Sequence, residues 1–236
     1  MKSSPYLLVK HSTGWNVDRC CRWMDQYQQP YQWCYPADGD TFPPPESYAG
    51  IIVFGGAGSA NDDTQHDWVR NELAFIETAL RAEIPFFGIC LGAQMLARVL
   101  GSKVYVHPAS IKEVGFHKIT PTKDAGDFLT EPLDVMQWHS EGFDLPPDCQ
   151  LLAQGEEFPN QAFRYGETAY GVQFHPEVNP DALAIWQERN RKRRPGQLND
   201  ADRARQMQDA IRYDKCNTQW LDQFLKGWTH MGNNDG

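Results

Sequence analysis

The chain has 236 residues, 41% of them apolar and 12% aromatic, enough to bury a core within one α/β domain or two small ones. Its formal net charge of −9 and pI near 5.2 set the mean field against nucleic acid and against an anionic membrane surface. It contains no run of about 18 apolar residues, and the apolar stretch in MKSSPYLLVKHS is too short for a signal-peptide core, so a cytoplasmic protein with no membrane partner is expected.

In chain order, YLLVK (Tyr6 to Lys10) reads as an opening strand, Asp18 to Gln28 as a helix-capable stretch and YQWCY as a second strand. The prolines of DGDTFPPPESYAG break the pattern, and IIVFGG (Ile51 to Gly56) is then a buried strand running into a glycine turn. Val69, Leu73, Ile76 and Leu80 recur at steps of four, three and four, which predicts an amphipathic helix from about His66 to Ala82. PFFGI is a further buried strand, and Leu91 to Leu100 a helix closed by Gly101. This β-α-β-α order with apolar strands predicts an open, mostly parallel sheet flanked by helices. KVYVH, EVGFHKIT, LDVMQWHS, QAFRYG and TAYGVQFHPE are shorter and more alternating, as antiparallel or mixed strands added to that sheet would be.

From about Pro180 the chain is helical and charged, with RNRKRRPGQ between two helix candidates. In the second, Met207, Ile211, Leu221, Phe224, Leu225 and Trp228 form an apolar stripe whose phase slips around Lys215 to Thr218. Without an internal repeat or low-complexity linker, one domain spanning 1–236 is expected, its core about 5–190 and its helical extension about 191–230. The basic cluster Arg191 to Arg194 reads as a solvated helix end or, failing that, a docking patch.

The six cysteines (Cys20, Cys21, Cys34, Cys90, Cys149 and Cys216) show no CxxC spacing, and the seven histidines no HxxxH or HExxH. No metal site and no cofactor is expected. Cys90 stands apart because FFGICLGAQ puts it between a buried strand and a helix, where Gly88 and Gly92 give the backbone room for a sharp turn that lifts the side chain out of the sheet. The start of the following helix supplies free N–H groups and partial positive charge, which favour a thiolate and can hold an oxyanion. Two readings stand here: a nucleophile, or a small buried thiol fitted beside the sheet. A nucleophile needs a base and the base an orienting group. GVQFHPEV offers His175 at a strand end and Glu177 two residues on, on the same side if the segment is extended, with Pro176 stiffening the link.

FFGICLGAQ, GVQFHPEV and VFGGAGS together resemble the class I, triad-type glutamine amidotransferases, most closely the amidotransferase domain of GMP synthase and its stand-alone relatives. The resemblance spans about Ile51 to Glu177 and implies a flavodoxin-like three-layer fold. It implies that Cys90 attacks the glutamine side-chain amide, His175 shuttles the proton to the departing ammonia, and Glu177 orients His175. It further implies an oxyanion hole from the N–H groups of Gly56 and Leu91, and glutamine contacts from Gln94, His139 and Ser140. The chain departs from the family pattern in reading Gly55-Gly56-Ala57 where Gly-Gly-Pro is common, Ala93 where a larger residue is usual, and WHSE where His-Gly-Asp is more frequent.

A complete amidotransferase also needs an acceptor site, and residues 178–236 contain no glycine-rich phosphate loop. The expected activity is therefore glutamine hydrolysis that supplies ammonia to a separate synthase subunit. The alternative is a stand-alone γ-glutamyl peptide or amide hydrolase. A silent binding or regulatory module comes third, because Cys90, His175, Glu177, Gly56 and Gln94 are all present.

Overall fold

A computed structural model describes residues 4–13 and 16–231, with the side chains of the final two of these excluded. The elements run β1 (Tyr6–Val9), α1 (Arg19–Gln26), β2 (Tyr31–Cys34), β3 (Gly50–Val53), α2 (Asp67–Arg81), β4 (Phe86–Ile89), α3 (Leu91–Val99) and β5 (Val104–Val106). There follow β6 (Glu113–Pro121), β7 (Leu133–His139), β8 (Glu141–Phe143), β9 (Cys149–Gln154), β10 (Ala162–Tyr165), β11 (Ala169–Val172), α4 (Pro180–Arg193) and α5 (Asp200–Met231). Helix starts follow the local chemistry. Asp18 caps α1 through the Cys21 N–H, and Asn179 caps α4 through the Ala182 N–H just before Pro180 at the first helical position. Gly101, one residue past the α3 C-cap, takes φ +88°, which a side chain would strain.

Among the described residues the main sheet has nine strands in the order β2-β1-β3-β4-β11-β10-β9-β6-β7, and β5 pairs separately with β8. The strands from β2 to β11 in this order are parallel, and the rest add antiparallel. TAYGVQFHPE thus yields strand only over Ala169–Val172, and that strand completes the parallel half rather than the antiparallel one. Strand β9 has no counterpart in the sequence reading; its CQLLAQ carries too little alternation to announce itself.

Burial on both faces explains the continuous apolar runs of the parallel strands. Successive residues point to opposite faces: Tyr6, Leu8, Ile52, Phe87 and Ile89 pack with α1 and α5, while Leu7, Val9, Ile51, Val53 and Phe86 pack with α2 and α3. The C-terminal helix is therefore half of one covering layer. Trp220, Leu221, Leu225 and Trp228 are buried, and a Cβ on Gly50 would lie 2.9 Å from Trp228 Cη2. The slip in the apolar stripe does not break α5. At that point the buried Asn217 turns its amide to the Asp134 carbonyl of β7 at 2.9 Å, a polar contact that no apolar pattern encodes. Ile211, placed on the stripe by the sequence, is instead 65% exposed. Among the described residues no helix is long and apolar enough to cross a membrane.

Trp228→Ala is expected to destabilise the fold by about 3–5 kcal/mol through the cavity it leaves, and Ile211→Ser by no more than ~0.5 kcal/mol. Urea unfolding of the two variants measures the contrast.

Candidate active site

Ligands of open α/β sheets bind beyond the carboxyl ends of the strands, and four strand ends meet here. After β4 the chain enters Cys90 at φ +52° and ψ −104°, then turns at once into α3. For a residue with a Cβ this conformation costs about 1–3 kcal/mol. Close crossing holds it: a Cβ on Gly88 would stand 2.6 Å from the Gly92 carbonyl, and one on Gly92 would collide with the backbone of Val53. The Cys90 N–H donates to the Val172 carbonyl at 2.7 Å, pinning the elbow to β11. In the first turn of α3 the N–H of Leu91 has no intrahelical acceptor, so it is available at the elbow.

Around the Cys90 sulfur the polar side chains form a relay. The Gln94 amide donates to Gln173 Oε1 at 3.1 Å and to the Glu141 carbonyl at 3.0 Å, and Gln173 Nε2 in turn donates to Cys90 Sγ at 3.6 Å.

His175 is buried beside Cys90, both side chains lying against Gly55, and its Nδ1 donates to Glu177 Oε1 at 2.9 Å. The link is not the extended segment expected from the sequence. β11 ends at Val172, and a turn closed by Val178 N–H to the His175 carbonyl at 3.4 Å brings Glu177 under the ring. Pro176 occupies the second position of that turn, where its fixed φ is favoured. Burial draws the His175 imidazole down, but the Glu177 carboxylate and Cys90 outweigh it and push it up to about 10. Trp186 of α4 stands edge-on to the ring at 4.8 Å.

The turn itself is clamped from α1 and α5. The Arg19 N–H donates to the Glu177 carbonyl at 2.8 Å, and its guanidinium donates to the carbonyls of Pro176 and Val178 and to Asp214 of α5 at 2.7 Å.

Gly55 and Gly56 lie between two histidines. A Cβ on Gly55 would come within 2.6 Å of His175 Cε1, and one on Gly56 within 2.6 Å of His11 Nδ1. The His11 side chain, 3% exposed, donates through Nδ1 to the Gly55 carbonyl at 3.4 Å and through Nε2 to the buried Glu72 at 3.0 Å. Burial draws His11 down and Glu72 outweighs it, so this ring too is raised above the usual histidine range. The glycine pair is thus required by close approach on both sides, and Ala57 follows it without the family's proline ring.

A cavity of about 430 Å³ opens over Cys90 and is lined also by Gly56, Leu91, Gln94, His139, Ser140 and His175. Glu177 sits behind His175. The His139 ring is engaged inward, Nδ1 with the Glu141 carbonyl at 2.9 Å and Nε2 with Glu113 Oε2 at 3.0 Å, so it presents its ring rather than a free nitrogen. His11, Glu72, Gln173 and Arg19 were not singled out from the sequence. Two carried a signal: His11 closes an apolar strand, and Glu72 falls three residues after Val69 on the apolar face of α2. Arg19 carried none, since its partners lie more than 150 residues away.

Over residues 10–184 the chain matches the family described as glutamine amidotransferase class-I. It is 37% identical over 134 residues to the glutamine-hydrolysing GMP synthase of Porphyromonas gingivalis, covering 55% of this chain and 25% of that longer protein. It is 27% identical over 202 residues to gamma-glutamyl peptidase 5 of Arabidopsis thaliana, covering 82% and 78% respectively. The crystal structure of a glutamine amidotransferase from Thermotoga maritima superposes with a TM-score of 0.89 at 28% identity, covering 97% of this chain and 99% of that one. The chain is an enzyme of the class I glutamine amidotransferase family.

Proposed function

We propose that this enzyme hydrolyses γ-glutamyl side-chain amides, glutamine being the smallest, through a thioester on Cys90. The observation that carries the reading is the left-handed Cys90 elbow with His175 beside it and hydrogen-bonded to Glu177, at the floor of a cavity. The Cys90 thiol passes its proton to His175 as its sulfur attacks the side-chain carbonyl carbon. The oxyanion is received by the backbone N–H groups of Gly56 and Leu91, which supply the dipoles that stabilise its charge. As the tetrahedral adduct collapses the C–N bond breaks, and His175 gives its proton to the departing nitrogen. Water then adds to the γ-glutamyl thioester, losing a proton to His175, and the C–S bond breaks to release glutamate and restore the pair. Glu177 holds the ring in the required tautomer and stabilises its charged form. Gln94, His139 and Ser140 border the space for the glutamyl portion. His11 and Glu72 act as positioning residues that set the Gly55–Gly56 loop.

The fate of the leaving nitrogen divides two readings. Ammonia delivery to a separate synthase is supported by the likeness to a quarter of a GMP synthase. A stand-alone γ-glutamyl hydrolase is supported by the likeness to gamma-glutamyl peptidase 5 and by the cavity, whose volume lies in the range of sites for ligands larger than one amino acid.

Cys90→Ala is expected to lower glutamate release by more than roughly 10⁴-fold and to abolish the covalent γ-glutamyl adduct seen by mass spectrometry; retained turnover in this variant defeats the mechanism. Glu177→Gln removes a group that raises His175, so the ring loses its proton at lower pH and the alkaline limb of the kcat/KM profile shifts to lower pH. His11→Asn is expected to lower kcat, by up to the ~10²-fold that one oxyanion donor supplies, while leaving iodoacetamide alkylation of Cys90, which forms no oxyanion, at its original rate.

A further inference from the structure

The run Arg191 to Arg194 divides in the fold. Arg191 pairs with Asp200 at 3.3 Å and Lys192 with Glu188 at 3.1 Å, while Arg193 and Arg194 line the cavity over Cys90. On α4 the lining residues Trp186, Arg189, Asn190 and Arg193 recur at steps of three, one and three, so one helix face is turned to the cavity. Lys112, beside β6, lines it as well. Among the described lining residues four are lysine or arginine and one, Glu141, is a carboxylate, in a chain whose net charge is −9. Glu141 is hydrogen-bonded by the Ser59 hydroxyl at 2.9 Å, which engages one of its carboxylate oxygens. Arg189 is anchored by the Thr13 carbonyl at 3.1 Å. The mouth of the cavity is therefore a local reversal of the protein's field, built from segments far apart in sequence. Such a reversal raises the local concentration of anionic ligands.

The chemistry fixes which end of a substrate meets it. With the reacting carbon at Cys90 and its oxygen toward Gly56 and Leu91, the nitrogen must face His175, which protonates it. His175 stands against Trp186, on the same α4 face as Arg189 and Arg193. The glutamyl portion is left to the lining residues away from α4, Gln94 of α3 and His139, Ser140 and Glu141 of the β7–β8 segment.

We infer that the leaving group carries a carboxylate received by Arg193, Arg194 and Lys112, which makes γ-glutamyl amino acids and peptides with a free C-terminal carboxylate the preferred substrate class over glutamine itself. The inference rests on the γ-glutamyl thioester reading above. Arg193 and Arg194 recognise the carboxylate through charge-assisted hydrogen bonds, and Lys112, just before β6, contributes as a point charge.

The test uses the purified full chain and three compounds: a γ-glutamyl amino acid, the same compound with its C-terminal carboxylate converted to the carboxamide, and glutamine. All three keep the glutamyl α-carboxylate, so a difference reports the leaving group alone. The expected kcat/KM favours the carboxylate over the carboxamide by about tenfold, the scale of one or two partly screened charge-assisted contacts, and the preference shrinks with added salt. In R193E/R194E the preference is expected to vanish or invert, and in K112E to weaken. Equal turnover of carboxylate and carboxamide by the wild type overturns the inference, as does a preference that survives R193E/R194E. Failure of the wild type to turn over any of the three overturns the γ-glutamyl reading together with this one, so the two failures are told apart.

Discussion

The geometry of the site depends on one strained backbone conformation. Cys90 adopts φ +52° although it carries a side chain, and the surroundings leave it no alternative. β4 and α3 cross so closely that Gly88 and Gly92 touch each other and the end of β3, and the Cys90 N–H is taken by β11. A relaxed conformation would require moving two central strands of a close-packed sheet, which costs more than the strain it would relieve. The elbow places the thiol beside the first turn of a helix, where the unpaired N–H groups and the macrodipole also lie. The proposed nucleophile and half of the proposed oxyanion hole are thus consequences of a single turn.

Two buried histidine–carboxylate pairs flank that turn, and they make different demands on the same loop. His175 with Glu177 lies against Cys90 and Gly55; His11 with Glu72 lies beneath Gly56. Both rings are raised because a neighbouring carboxylate outweighs burial, and at His175 the nearby Cys90 adds to the effect. A buried ion pair is a weak source of net stability, since desolvation offsets much of the Coulombic gain, but it fixes its members in place. Fixing the Gly55–Gly56 loop by side-chain packing matters here because two successive glycines followed by Ala57 give the loop little stiffness of its own.

Helices α4 and α5 are structural parts of the site as well as of the fold. α5 closes one face of the sheet through Trp220, Leu225 and Trp228, and Asp214 on it holds Arg19, which holds the turn carrying Glu177. α4 supplies Trp186 against His175 and the cationic side of the cavity mouth. A displacement of either helix would reach the histidine through one or two contacts.

By itself the sequence determined the parallel β-α half of the fold, because buried strands and amphipathic helices leave unmistakable periodicities over Ile51 to Leu100. It also determined the elbow, because Gly88 and Gly92 announce a sharp turn locally, and it put His175 and Glu177 on one short segment, although not the turn that joins them. The tertiary structure alone decided that β11 lies parallel to β4, that Asn217 rather than Ile211 faces the sheet, and that Glu177 reaches His175 through a turn. Only the fold brought His11 to Glu72, Arg19 to the His175–Glu177 turn, and Arg193 and Arg194 to the cavity while their neighbours paired elsewhere. The physical reason is the range of the interactions. Periodicity and turn chemistry act within a few residues, whereas a buried ion pair, a close glycine approach or a reversal of local charge exists only between segments that packing has brought together.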